Sequence, residues 1–229
     1  MRVSSSAASD VYKIHLEEVS AQGSSSLTLM FYTMFIAKDF GLRGSDSAWK
    51  NTVSKDSAPT FICPVPGYDR HFTICEQLGI NMLTVPMTST GPDMNAVEAL
   101  IKKDNSIVGM WCVPKYSNPT GVIYSDETVK RIAKLGQIAN KSFCVFWDNA
   151  YAVHDMDGYK PLANIANYSR EYDTTDNVIQ FSSTSKITHA GSGVAFIAAS
   201  VDNLNGIRKV LSSFSIGPDK VNQLRHHRL

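Results

Sequence analysis

The chain has 229 residues, 43% of them hydrophobic and 19% charged, the composition of a folded globular protein with room for one large domain or two small ones. Lys and Arg number 22 against 21 Asp and Glu, and the formal charge of +1 supplies no field for nucleic acid or an anionic lipid surface. No apolar run approaches the roughly 20 residues of a membrane span, and the Ser-rich start Met1-Arg2-Val3-Ser4-Ser5-Ser6 lacks the apolar core of a secretory signal.

Residues 1–22 read as a lead-in, with one helix around 9–19. Gly23-Ser24-Ser25-Ser26 is a small-residue turn that opens a helix from Leu27 to about Asp39, ending before Gly41. Residues 41–58 are polar and loop-like around a short helix. Beyond them, strand-like runs at 60–64, 82–85, 106–113, 142–147, 177–182 and 194–199 alternate with helix-like segments at 69–78, 93–103 and 126–140, and another helix follows at 202–213. Asp93 and Ser125-Asp126 have the chemistry of N-caps. The runs IVGMWCV and SFCVFW are apolar on both parities, which suits strands covered on both faces. This rhythm predicts an α/β fold of three layers, α/β/α, around a mostly parallel sheet.

The four cysteines, Cys63, Cys75, Cys112 and Cys144, form no CxxC pair, and the six histidines show no HxxxH spacing. A zinc site and a disulfide framework are therefore not expected, and no metal site is assigned. Three of the cysteines sit in apolar strand-like runs, so the set reads as buried reduced thiols in a cytoplasmic protein.

In parallel α/β sheets, ligands bind beyond the carboxyl ends of the strands. Four such ends carry unusual polar residues: Pro66-Gly67-Tyr68, then Asn118-Pro119-Thr120-Gly121, then Asp148-Asn149-Ala150-Tyr151, then Ser183-Thr184-Ser185-Lys186. Singly, each reads as a turn, a cap or a solvated strand end. In this order, after the Gly-Ser-rich helix start, the set resembles the fold type I pyridoxal-phosphate-dependent aminotransferases of class I/II, from about Gly23 to Leu229. GSSSLTLM, PGYDRHF, AGSGVAF and IGPDKVNQLRH look most like an aspartate aminotransferase branch related to the aminotransferase domain of bacterial regulators.

The resemblance implies a role for each position. Lys186 matches the lysine whose amine forms a Schiff base with the cofactor aldehyde and then moves the substrate proton. Asp148 matches the carboxylate that keeps the pyridine nitrogen protonated. Asn118 and Tyr151 match two donors to the cofactor's phenolic oxygen, and Tyr68 the ring stacked on the pyridine face. Ser24, Ser25 and Ser183 match ligands of the 5′-phosphate, which a helix start favours through its free N–H groups and dipole. One departure is evident: relatives place a phosphate-binding arginine eight residues after the lysine, where this chain has Val194. Lys115 matches no family lysine, and His189 has no assigned role.

The resemblance also implies a partial large domain at 23–229, with the C-terminal small domain and its carboxylate-binding arginine absent. The parent enzyme is then a homodimer that transaminates an amino acid, aspartate or another dicarboxylic one, with a 2-oxo acid. Lys220 and Asn222 are candidates to reach a neighbouring subunit's cofactor phosphate. A fragment of this kind is expected to be inactive alone. A β-lyase or decarboxylase on the same scaffold, and a non-enzymatic remnant or ligand-sensing module, remain as alternatives.

Overall fold

The computed structural model describes residues 15–55 and 57–229. In chain order the elements are β1 (Val19–Ala21), α1 (Ser26–Asp39), α2 (Trp49–Thr52), β2 (Thr60–Val65), α3 (Asp69–Gln77), β3 (Asn81–Thr88), β4 (Gly91–Pro92), α4 (Met94–Lys103), β5 (Ile107–Cys112), α5 (Asp126–Lys134), β6 (Cys144–Asp148), α6 (Ile165–Glu171), β7 (Val178–Ser183), β8 (Ala195–Ala198), α7 (Val201–Leu211) and α8 (Lys220–His227). The strands form one sheet in the order β1-β8-β7-β6-β5-β2-β3-β4. The five from β7 to β3 run parallel, while β8, β1 and β4 pair antiparallel to their neighbours. The expected three-layer, mostly parallel fold is the one observed.

The central strands explain the two-parity apolar runs. Phe61, Val108, Trp111, Phe146 and Phe181 face one layer, where α1, α3 and α7 pack. Ile62, Met110, Val145, Trp147 and Val178 face the other, beneath α4, α5 and α6. Every residue of β5 and β6 is buried. Gly109 makes one of these contacts possible, because a Cβ there would fall 2.0 Å from the Phe61 ring. Both expected caps form: the Asp93 carboxylate accepts from the Asn95 and Ala96 amides, and Ser125 Oγ from that of Thr128.

Several elements depart from expectation. The helix expected around 9–19 falls largely outside the described residues; within them, Leu16–Glu18 is a 3-10 turn and Val19 begins a strand. That strand is three residues long, too short to show a period, and it exists because β8 offers it an edge. The helix expected over 126–140 stops at Lys134 and tightens into a 3-10 turn, Leu135–Gln137, where Gly136 lies against Asn177. α6 was not anticipated, being only seven residues long, whereas the C-terminal run from Arg225 reads as part of a helix and α8 contains it, with no residue buried.

The sheet's order also places the site. From β2 the chain runs outward to β3, whereas from β5 it runs the other way to β6 and β7. The reversal opens a crevice between β2 and β5 at the carboxyl ends, where doubly wound sheets bind ligands. All four polar strand ends lie along that edge.

Candidate active site

The segment after β7 carries the lysine, and it is sewn down on both sides. Thr184 N donates to Val194 O (2.9 Å) and Val194 N to Thr184 Oγ1 (2.8 Å). Ser185 Oγ donates to Ser24 O (2.8 Å), which ties the lysine turn to the start of α1. Gly193 is required by this closeness, because a Cβ there would lie 2.3 Å from Ser185 Oγ and 2.7 Å from its amide nitrogen. Lys186 itself is exposed, and its Nζ donates to Tyr151 Oη at 2.7 Å.

Asp148, at the end of β6, is 4% exposed. Its Oδ2 accepts a hydrogen bond from His71 Nε2 at 3.1 Å. Its Oδ1 is buried without a hydrogen-bond partner. A buried carboxylate oxygen left without a donor is costly, and a donor or cation arriving in the adjoining cavity would relieve that cost. His71 lies flat on Trp111, with ring centroids 4.1 Å apart and planes at 8°. Trp111 in turn meets Phe61 and Phe146. The carboxylate therefore rests on an aromatic stack continuous with the core. Sequence reading did not single out His71. Its only signal was its place on the first turn of α3, three residues after Tyr68 and on the helix's buried face.

Lys186 and Asp148 open into one cavity of about 210 Å³, also lined by Ser25, Tyr68, Asn118, Tyr151 and Ser183. Seven of the eight expected residues are thus brought together. Ser24 is the exception: it does not line the cavity, and it serves the site through its carbonyl bond to Ser185. Ser26 and Ser185 line the cavity without having been singled out. Ser25 is the N-cap of α1 and accepts from the Thr28 amide, while the Ser26 and Leu27 amides have no acceptor within the helix. The serines and this helix start form an anion cradle beside the lysine turn.

Lys115, His189, Lys220 and Asn222 do not line this cavity. Val194 is 3% exposed and engaged through its backbone with Thr184, so no side chain at this position takes the place of the arginine. Lys115 is buried, with its amine held by Asp155 Oδ2 at 2.8 Å. Asn222 Nδ2 donates to Gly193 O of its own chain, and Lys220 and His189 are exposed outside the cavity. The four cysteines are buried and unpaired. Among the described residues no group of three or more acidic, cysteine or histidine side chains is arranged to hold a metal, and no helix is long and apolar enough to cross a membrane.

The mostly parallel three-layer fold matches the large domain of pyridoxal-phosphate-dependent aminotransferases. Comparison with known proteins agrees. Residues 5–229 match the aspartate amino-transferase family, and the chain belongs to it. An aspartate aminotransferase of Corynebacterium glutamicum is 41% identical over 220 residues, covering 96% of this chain and 50% of that protein. The crystal structure of an aspartate transaminase from C. glutamicum superposes with a TM-score of 0.88 at 41% identity, covering 96% of this chain and 51% of the other. A 2-aminoadipate transaminase of Thermus thermophilus is 25% identical over 174 residues, 76% of this chain and 43% of its own. The chain spans about half the length of these relatives. The family's cofactor is pyridoxal 5′-phosphate, and the residues present fit it: the unpartnered oxygen of Asp148 awaits a donor, and the serine cradle suits a phosphate.

Proposed function

We propose that these residues are the cofactor-binding part of an enzyme that transaminates an amino acid, aspartate or another dicarboxylic one, with a 2-oxo acid as acceptor. The observation that carries this reading is the convergence of Lys186, Tyr151 and the unpartnered Asp148 oxygen on one cavity. When bound, pyridoxal phosphate supplies an electron sink for the substrate's α-carbon. The chain's residues then divide the work. Lys186 would hold the cofactor through its amine and would carry the substrate proton at Nζ. Asp148, steadied by His71, keeps a positive charge on the ring nitrogen. Tyr151 and Asn118 would donate to the phenolic oxygen, and Tyr68 would cover a ring face. Ser25, Ser183 and the Ser26 and Leu27 amides take the phosphate without an arginine at position 194.

The identity with an aspartate aminotransferase supports a dicarboxylic substrate. Four unpaired cysteines support a cytoplasmic setting, and a role in amino-acid biosynthesis and a homodimeric assembly accord with the family. The boundary of the cofactor-binding unit at about Gly23 is part of the same proposal. The 229 residues alone should not turn over, because among the described residues no cation lining the cavity other than Lys186 is available for a substrate carboxylate.

The test has two parts. Borohydride reduction of the chain incubated with pyridoxal phosphate, followed by peptide mass spectrometry, should place the adduct on Lys186. An adduct on Lys115 instead would overturn the assignment. In a longer protein containing these residues, a single turnover with aspartate should yield oxaloacetate; alanine as product would move the assignment to β-decarboxylation.

A further inference from the structure

We propose that Lys115, Tyr116 and Asp155 form a clasp that positions Asn118 and Tyr151 relative to one another across the cavity. The role of those two donors rests on the cofactor reading above.

The segment from 149 to 164, between β6 and α6, has neither helix nor strand. It carries Tyr151 near its start. Its first residue is held through Asn149 N, which donates to Phe181 O at 2.9 Å, but beyond it the chain leaves the sheet. The Tyr151 hydroxyl accepts from Lys186 Nζ (2.7 Å), and what ties the loop to the opposite side of the cavity is the clasp. Lys115 Nζ donates to Asp155 Oδ2 (2.8 Å) and to Ala152 O (3.2 Å), the carbonyl directly after Tyr151. Tyr116 Oη donates to Asp155 Oδ1 (2.7 Å). Both carboxylate oxygens of Asp155 are thus occupied by consecutive residues of the β5 loop.

Asn118 lies two residues beyond Tyr116 on that loop. The turn that carries Asn118 is closed by Ser117 N to Val122 O (2.9 Å) and Gly121 N to Ser117 O (2.6 Å). Tyr116 takes a left-handed backbone conformation, φ 50°, which a bulky residue adopts only when its surroundings impose it. The clasp therefore joins two loops that each present one donor to the same cavity.

The electrostatics keep it closed. Lys115 first, and Tyr116 second, hold the Asp155 carboxyl below its usual range. Asp155 raises the Tyr116 phenol to about 12, so it stays a donor at neutral pH. The other groups facing the cluster are Lys160, whose amine lies over the Tyr116 ring, Asp157, which also raises the phenol, and Tyr159, whose ring faces the Lys115 amine. A hydrophobic side chain in place of Lys115 would fill the same space without a charge to neutralise. What the lysine adds is a directed reach to the Ala152 carbonyl and the Asp155 carboxylate together.

The experiment compares the parent chain, Asp155→Asn, Tyr116→Phe and Lys115→Met, each incubated with pyridoxal phosphate. Asp155→Asn is the principal variant, since its side chain lies near the surface and the change preserves size; melting temperatures report that each variant is folded. The first readout is the pH at which the visible absorbance of the Lys186-bound cofactor changes. A donor on the phenolic oxygen draws charge away from the neighbouring proton on the lysine nitrogen and makes that proton easier to lose. Loosening Tyr151 and Asn118 should therefore move the midpoint upward, by on the order of half a unit or more in Asp155→Asn and by less in Tyr116→Phe. An unchanged midpoint with cofactor on Lys186 overturns the proposal. The second readout needs no cofactor: amide exchange across residues 150–155 should accelerate at least about threefold in Asp155→Asn. Unchanged exchange overturns the clasp. If the parent chain fails to attach cofactor to Lys186, the functional reading falls, and amide exchange still decides the clasp on its own.

Discussion

Asp148 and Tyr151 lie three residues apart, and different forces hold them. Asp148 ends a strand whose five residues are all buried, and its carboxylate rests on the His71–Trp111 stack. Tyr151 sits just beyond the strand, where the chain has no regular structure and polar contacts replace packing. Lys186 belongs with Tyr151: it follows β7 on a turn fixed by hydrogen bonds to Ser24 and Val194 and is itself exposed. The carboxylate proposed to face the ring nitrogen is built into the core, where packing density resists displacement. The groups proposed to meet a ligand are tied by a few directed bonds, which open at lower free energy.

This division can be broken from either side. The largest effect should come from Lys186→Ala, which removes the only amine lining the cavity among the described residues: covalent capture of pyridoxal phosphate, read by mass spectrometry after borohydride, should be lost entirely while the melting temperature stays within a few degrees of the parent. Next comes Trp111→Ala. Trp111 is 2% exposed and meets Phe61, Phe146 and His71, so a cost of about 3–5 kcal/mol is expected in urea unfolding. Near-parental stability would show that the aromatic stack is not what anchors the carboxylate.

Asp148→Asn sharpens the comparison further. An asparagine oxygen can still accept from His71, but the buried charge is gone. The cofactor-free protein should melt no lower than the parent. Pyridoxal phosphate affinity should fall by about 1.5–3 kcal/mol, the range for losing a charged hydrogen-bond partner, as read by fluorescence titration. A variant that binds as tightly as the parent would remove the ring-nitrogen role.

The smallest effect concerns the loop. The Asp155 carboxyl is held below its ordinary value of 3.8 by Lys115 and Tyr116. Its stabilising contribution is therefore complete above about pH 4 and is lost as the pH falls through the depressed value. Asp155→Asn should narrow the stability gap to the parent as the pH drops through that window. A gap constant from neutral pH to below it would show that the ion pair contributes nothing to folding.

Much of the fold was legible because the sheet's interior is apolar on both parities and helices α4, α5 and α7 carry side-chain caps and one-sided apolar faces. β2, β5, β6 and β7 and helices α1, α3, α4 and α7 fall within a few residues of where periodicity puts them. Six residues of the cavity stood out because they follow strand ends, where polar residues have no packing reason to be, and Ser25 because it opens a helix; the roles proposed for them came from the family resemblance and not from position. β1 was not, since three residues carry no period and depend on β8 for a partner. His71 was not, because a lone histidine on a helix looks the same whether it faces solvent or a carboxylate.

The chain's own residues determined the layer order of apolar and polar segments, the helix starts and the positions where chemistry can reside, since these follow from local hydrogen bonding and periodicity. Tertiary structure alone decided which of those residues meet. His71 reaches Asp148 across 77 positions, Ser185 reaches Ser24 across 161 and Lys115 reaches Asp155 across 40. Such contacts depend on strand order and on the reversal between β2 and β5. Those in turn are set by how whole layers bury their faces together, a property that no short stretch of sequence contains.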